Sequence, residues 1–187
     1  MTKDVALIVG GGPGISASCA RLFAKSGMQV GIAARTPDKP VLQDLEKTHG
    51  VRRYACDASE PVAVELLFQN VVRDLGVPTF VVHNIDGRVP GIFRKGIAEA
   101  DASMAFETLR NSAFSAFLVG QQAARLMRES KPDANGTKGT IIFTNASAAL
   151  KGFPTSGAFA RAPSPAPSAR LTAEDTPPPM APPDSIN

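Results

Sequence analysis

Five short strand-like runs, separated by stretches of helical periodicity, restrict this chain to a layered α/β fold more tightly than any other feature of its sequence. They fall in VALIV (5–9), MQVGIAA (28–34), VRRYACD (51–57), PTFVVHN (78–84) and TIIFTNA (140–146). The first is apolar throughout, as a strand buried on both faces requires. Between the first two, Ile15, Cys19, Leu22 and Phe23 recur at helical spacing and Gly27 suits a helix end. Asp38 is placed to cap a short helix carrying Val41, Leu42 and Leu45, which Gly50 would stop. Residues 60–76 predict a helix with Pro61 in its first turn, where a missing N–H costs little. Residues 101–130 predict one long helix with a stripe of Leu109, Ala113, Ala116 or Phe117, Gly120, Ala124 and Met127. Strands alternating with helices imply a doubly wound parallel sheet, a Rossmann-like α/β domain with right-handed crossovers. One domain over residues 1–160 is expected, followed by a tail over 161–187.

Composition narrows the function classes. Lys and Arg number 20 against 17 Asp and Glu. No basic patch is interleaved with aromatics, Trp is absent and Tyr54 stands alone, so neither nucleic acid nor a base-stacking platform is expected. Cys19 and Cys56 form no metal spacing and no disulfide framework, and no metal site is expected. The apolar run near the N-terminus is too short for a membrane span or a signal peptide. The expectation is a soluble, cytoplasmic protein.

Ligands of such sheets sit beyond the carboxyl ends of the strands. The turn VGGGPGIS (9–16) joins the first strand to the first helix. Gly10 permits a tight turn, Gly14 lets backbone approach a phosphate, and the helix start at Ile15 offers free N–H groups and partial positive charge. In this context the glycines point to a nucleotide site.

The segment from Val5 to Arg35 resembles the start of the short-chain dehydrogenase/reductase family, whose glycine motif is TGxxxGxG. Gly10 and Gly14 match two glycines; Val9 stands for the Thr and Ser16 for the last glycine. The likeness continues at Asp57, matching the family's adenine-contacting Asp, and at Asn84 in VVHNIDG, similar to the family's NNAG. There Asp86 or a displaced Gly87 occupies the glycine position. The resemblance spans residues 3–160 and implies a nicotinamide dinucleotide and a small carbonyl or alcohol substrate. An acid after the second strand would hold the 2′-OH of NAD. Arg35 stands there instead, with Lys39 near it, which favours NADP over NAD. A methyltransferase with a similar glycine turn would also call for that acid.

The family's chemistry is a proton relay beside the nicotinamide, made of a Ser, a Tyr, a Lys four residues after the Tyr, and a helical Asn. Ser147, or Ala146 if the loop is one residue shorter, falls at the serine position. Asn111, or Ser112, falls at the asparagine position. His83 ends a strand and reads as a packing residue. Phe159 occupies the Tyr position and Pro163 the Lys position, so both halves of YxxxK are missing. Residues 161–187 then hold eight prolines, five alanines, three serines and two arginines, a composition expected to be disordered or PPII-like. Such a tail suggests a truncated or alternatively read product of a dehydrogenase-like gene; a natural proline-rich extension is the alternative. The sequence thus supports either an NADP(H)-dependent oxidoreductase or a non-catalytic dinucleotide-binding or interaction protein, associating through helix 101–130.

Overall fold

The computed structural model describes residues 4–92 and 98–146, together with the backbone of 168–172. The strands are β1 (Val5–Val9), β2 (Gln29–Ala34), β3 (Arg52–Ala55), β4 (Phe80–His83), β5 (Thr137–Phe143) and β6 (Ser168–Thr172). They lie in the order β3-β2-β1-β4-β5-β6. The first five are parallel, so the sheet is doubly wound and Rossmann-like, with its order reversing between β1 and β4. The helices are α1 (Ile15–Lys25), α2 (Pro40–His49), α3 (Pro61–Asp74), α4 (Ala102–Leu109) and α5 (Ser115–Glu129).

The double burial of β1 explains its unbroken apolar run. Val5, Leu7 and Val9 pack into one core with Phe68 and Val71 of α3 and Val119 and Met127 of α5. Ala6 and Ile8 pack into the other with Ala17 and Ala20 of α1 and Leu42 and Leu45 of α2. Successive side chains of a strand point to opposite faces, so a central strand between two helix layers has no polar side.

Several local expectations change. Helix α1 forms where its periodicity placed it, but it buries Ser16, Ala17 and Ala20 while Ile15 and Leu22 face outward. Cys19 and Phe23 of the anticipated stripe pack against the same core. Asp38 does not cap α2: Lys39 holds the cap position with no side-chain bond, and Pro40 opens the helix. The Asp38 carboxylate instead takes the Arg53 guanidinium at 2.7 Å, on the edge strand β3. Gly50 ends α2 in the left-handed conformation, as anticipated.

The long helix of 101–130 is interrupted by a π-helical turn at Arg110–Phe114. A π turn inserts one residue and rotates the helix beyond it. The buried face of α5 is Ser115, Ala116, Leu118, Val119, Ala123 and Met127, so Ala116 and Met127 of the anticipated stripe are buried, and of the alternatives Ala116 and Phe117 it is Phe117 that is exposed. Strand β5 begins at Thr137, three residues before the run TIIF, and Gly139 admits Met127 where a Cβ would lie 2.4 Å from its sulfur. No strand was anticipated after residue 160, yet Ser168–Thr172 pairs antiparallel with β5. It lies in the longest stretch of the tail without proline, which alone can donate a full ladder.

Candidate functional site

A cleft of about 600 Å³ opens at the carboxyl ends of β1, β2 and β4, where the strand order reverses. Gly10, Gly11, Arg35, Lys39, Asp57 and Asn84 line it, and Asn111 closes it from the π turn. Five of the residues anticipated as site residues (Gly10, Arg35, Asp57, Asn84 and Asn111) therefore converge on one space. Gly14 and Ile15 stand at the start of α1, outside that lining. Ser147, Phe159 and Pro163 lie outside the described residues.

The glycine turn is built by close approach. Gly10 has φ +107°, and a Cβ on it would lie 2.0 Å from the carbonyl oxygen of Asn84. Gly12 and Gly14 face open space, where an added Cβ would meet nothing within 4 Å. Helix α1 follows with no side-chain cap and no acid in its first turn. Its leading N–H groups and partial positive charge are thus available to an anion.

At the far side of the cleft Arg35 follows the last residue of β2 and is exposed, and no carboxylate occupies that position. Lys39 turns back to donate from Nζ to the carbonyl of Gly11 at 3.0 Å. The sequence had offered Lys39 only as a neighbour of Arg35; its bond to the glycine turn needed the fold. Asp57 accepts from Ser59 N at 3.0 Å and from Ser59 Oγ at 2.8 Å. Burial opposes its charge, but those bonds and the positive charges of Arg35 and Arg110 outweigh it and hold the carboxyl below its ordinary range. Cys56 also lines the cleft; burial, with Asp57 beside it, pushes its thiol up to about 11, so no thiolate forms there.

Asn111 and Ser112, alternatives in the sequence, separate in space. Asn111 lines the cleft, while Ser112 Oγ turns to the carbonyl of Thr108 at 2.5 Å. Gly87 lies against this turn, where a Cβ would approach Ser112 N to 2.6 Å. Asp86 lines the cleft and pairs with Arg88.

His83 is 4% exposed, and its Nε2 stands 2.9 Å from Ser115 Oγ. Ser115 Oγ donates its proton to the carbonyls of Asn111 and Ser112, which leaves His83 as the donor to Ser115. Burial pushes its pKa down to about 4. This is a packing residue, and it carries a pH signature. A base with a lowered folded pKa contributes full stability above its unfolded value near 6.5 and loses it as pH falls through about 4. The full loss is about 3 kcal/mol. Urea midpoints measured between pH 7.5 and 4.5 should fall steadily below pH 6.5, and His83→Gln, which keeps a donor for Ser115, should flatten that limb. An unchanged limb in the variant would assign it to other groups.

A cradle that excludes any side chain at Gly10, an uncapped helix start and cations after β2 fit a dinucleotide carrying phosphates. Residues 10–163 match a family model described as enoyl-(acyl carrier protein) reductase. The chain belongs to the short-chain dehydrogenase/reductase family. Similar solved structures include a short-chain dehydrogenase/reductase from Serratia marcescens BCRC 10948, with 20% identity and a TM-score of 0.72 over 86% of this chain. A short-chain dehydrogenase from Rhodopseudomonas palustris has 26% identity and a TM-score of 0.71 over 85%. The chain spans 63% of the length of the first and 71% of the second. A search of curated proteins found no match. Membership of this oxidoreductase family implies a nicotinamide dinucleotide as cofactor. No helix among the described residues is long and apolar enough to cross a membrane.

Proposed function

We propose that this chain binds NADP(H) in the cleft at the ends of β1, β2 and β4, as a descendant of the short-chain oxidoreductases that exchange hydride with a carbonyl or alcohol, in which Phe159 and Pro163 replace the Tyr and Lys of the proton relay. The observation that carries the cofactor choice is the end of β2, where Arg35 stands in place of an acid and Lys39 reaches the glycine turn. A guanidinium fork matches a 2′-phosphate, and the carboxylate that would hold a 2′-OH is missing. Gly10, Gly14 and Ile15 would cradle the pyrophosphate, Asp57 would face the adenine, and Asn84 would brace the turn. Asn111 and Ser147 would lie on the substrate side. Residues 1–160 form the binding domain in this reading, and the remainder is an extension. Free Cys19 and Cys56 suit a reducing cytoplasm.

Fluorescence titration with NADPH and NADH tests this. NADPH should bind tens of times more tightly, since a charge-assisted hydrogen bond is worth about 1.5–3 kcal/mol. Arg35→Asp should reverse the order. Equal affinities of the parent for both would remove the assignment.

A second reading, a non-catalytic dinucleotide-binding member, is favoured by Phe159 and Pro163 at the positions of the family's Tyr and Lys. Association of two copies through helix 101–130 accompanies either reading. Phe106, Phe114 and Phe117 leave 70%, 41% and 56% of their surfaces exposed there, and the rings of Phe114 and Phe117 stack with centroids 6.4 Å apart. Apolar aromatic surface of this kind favours a partner. Light scattering should give twice the chain mass, and Phe117→Asp should halve it; a monomeric parent would exclude this surface as an interface.

A further inference from the structure

Ser16 stands where the family motif has its last glycine, and its side chain is completely buried in the first turn of α1. Its hydroxyl is 2.6 Å from the carbonyl oxygen of Gly10 and 2.7 Å from Nδ2 of Asn84. A carbonyl can only accept, so the one proton on Ser16 Oγ goes to Gly10 and a lone pair receives the Asn84 amide. That orientation of the amide presents Oδ1 to Thr144 Oγ1 at 2.8 Å, and Thr144 donates to it, sharing its proton with the more distant carbonyl of His83 at 3.2 Å. Donation therefore runs in one direction, from Thr144 after β5, through Asn84 after β4 and Ser16 in α1, to Gly10 after β1. Each hydrogen bond in such a chain polarises the next.

The geometry points to Ser16 as a positioning residue for the dinucleotide, which couples the phosphate turn at Gly10 to the ends of β4 and β5 through Asn84 and Thr144. The inference rests on the proposal that the cleft binds NADP(H). A glycine at position 16 would suffice for close packing of helix and strand. The hydroxyl adds a fixed distance between the turn that would hold the pyrophosphate and the strand ends that would flank the nicotinamide. In a dinucleotide spanning both, an error in that distance weakens the whole ligand while leaving its adenosine half seated at Arg35 and Asp57.

That asymmetry supplies the experiment. NADPH and the half-ligand 2′,5′-ADP are titrated into the parent, Ser16→Gly, Thr144→Val and the double variant, with urea unfolding measured on each. Ser16→Gly should weaken NADPH on the order of tenfold, the effect of one lost buried hydrogen bond. It should leave 2′,5′-ADP within about twofold, because that ligand does not span the linked elements. A general loosening of the domain would weaken both ligands together, and that result would overturn the inference. Thr144→Val breaks the same chain from its other end and should weaken NADPH by a similar factor. Because both act through Asn84, the double variant should be little weaker than either single one, whereas multiplied losses would show independent roles and overturn the coupling. Unchanged NADPH affinity in Ser16→Gly, in a parent that binds NADPH, overturns this inference alone. A parent that binds neither ligand overturns the proposed function with it.

Discussion

Gly10→Ala is expected to lose roughly 3–5 kcal/mol of folding free energy, the sum of a forced left-handed alanine and an overpacked contact. The φ of +107° already disfavours any L side chain. The space does the greater harm, because the new Cβ would meet the Asn84 carbonyl oxygen at 2.0 Å and its carbon at 2.6 Å. These are backbone atoms with nowhere to retreat. Asn84 N donates to Val9 O at 2.8 Å, and Gly10 N donates to Ala33 O at 2.9 Å. Relief by displacement would therefore pull β4 away from β1 and β1 away from β2. A loss of this size is a large fraction of the roughly 5–15 kcal/mol that holds a domain folded. Urea denaturation followed by circular dichroism measures it. Gly12→Ala is the control: its Cβ enters open space and its φ is ordinary, so stability should change by less than about 0.5 kcal/mol. A Gly10→Ala protein that unfolds at the parent's midpoint would mean that β1 and β4 do not meet in this way.

The contrast between those two glycines shows what the sequence could and could not reveal. All four glycines of the turn look alike in VGGGPG; only the approach of β4 distinguishes Gly10. The sheet itself was legible because a strand covered on both faces leaves an unbroken apolar run, and Val5–Val9 is one. The cleft was legible because Gly10, Arg35, Asp57 and Asn84 each end or follow a strand, and parallel strands bring such ends together. The buried face of α1 was legible only in part: Cys19 and Phe23 pack on the core as the periodicity placed them, but Ser16, Ala17 and Ala20, which hydrophobicity ranks low, are fully buried while Ile15 and Leu22 face outward. The π turn at Arg110–Phe114 leaves no compositional mark, yet the stripe drawn through residues 101–130 continues beyond it, with Ala116 and Met127 buried and Ala124 packed against the same core. The hydrogen bonds of Ser16 and Lys39 depend on partners 68 and 28 residues away, which no local pattern encodes.

Turnover is the property with the widest expected range. The unaltered chain should bind NADPH yet consume it at or near the detection limit with ketones and aldehydes. The resemblance assigns proton transfer to a Tyr whose acidity a Lys four residues later raises. Phe159 offers no proton, and Pro163 offers neither charge nor a backbone N–H. The buried His83, with its pKa near 4 and its Nε2 bonded to Ser115, does not substitute for them. Arg161 follows Phe159 by two residues, about 200° around any helix that carried both. General acid–base catalysis contributes about 10²–10⁴-fold, so its loss alone removes most of the rate. Phe159→Tyr should restore little, because a tyrosine without the cation keeps a pKa near 10 and stays poorly matched to neutral pH. It should also be the less informative variant on its own, since Pro163 disfavours a helical conformation at Ala162 and so opposes a helix carrying both positions. Phe159→Tyr with Pro163→Lys should exceed either single variant by more than the product of their separate effects, since the two groups act as one unit. NADPH consumption measured by its near-ultraviolet absorbance across a broad carbonyl panel decides the matter. Robust turnover by the unaltered chain would mean that another residue delivers the proton, and the non-catalytic reading would fall with it.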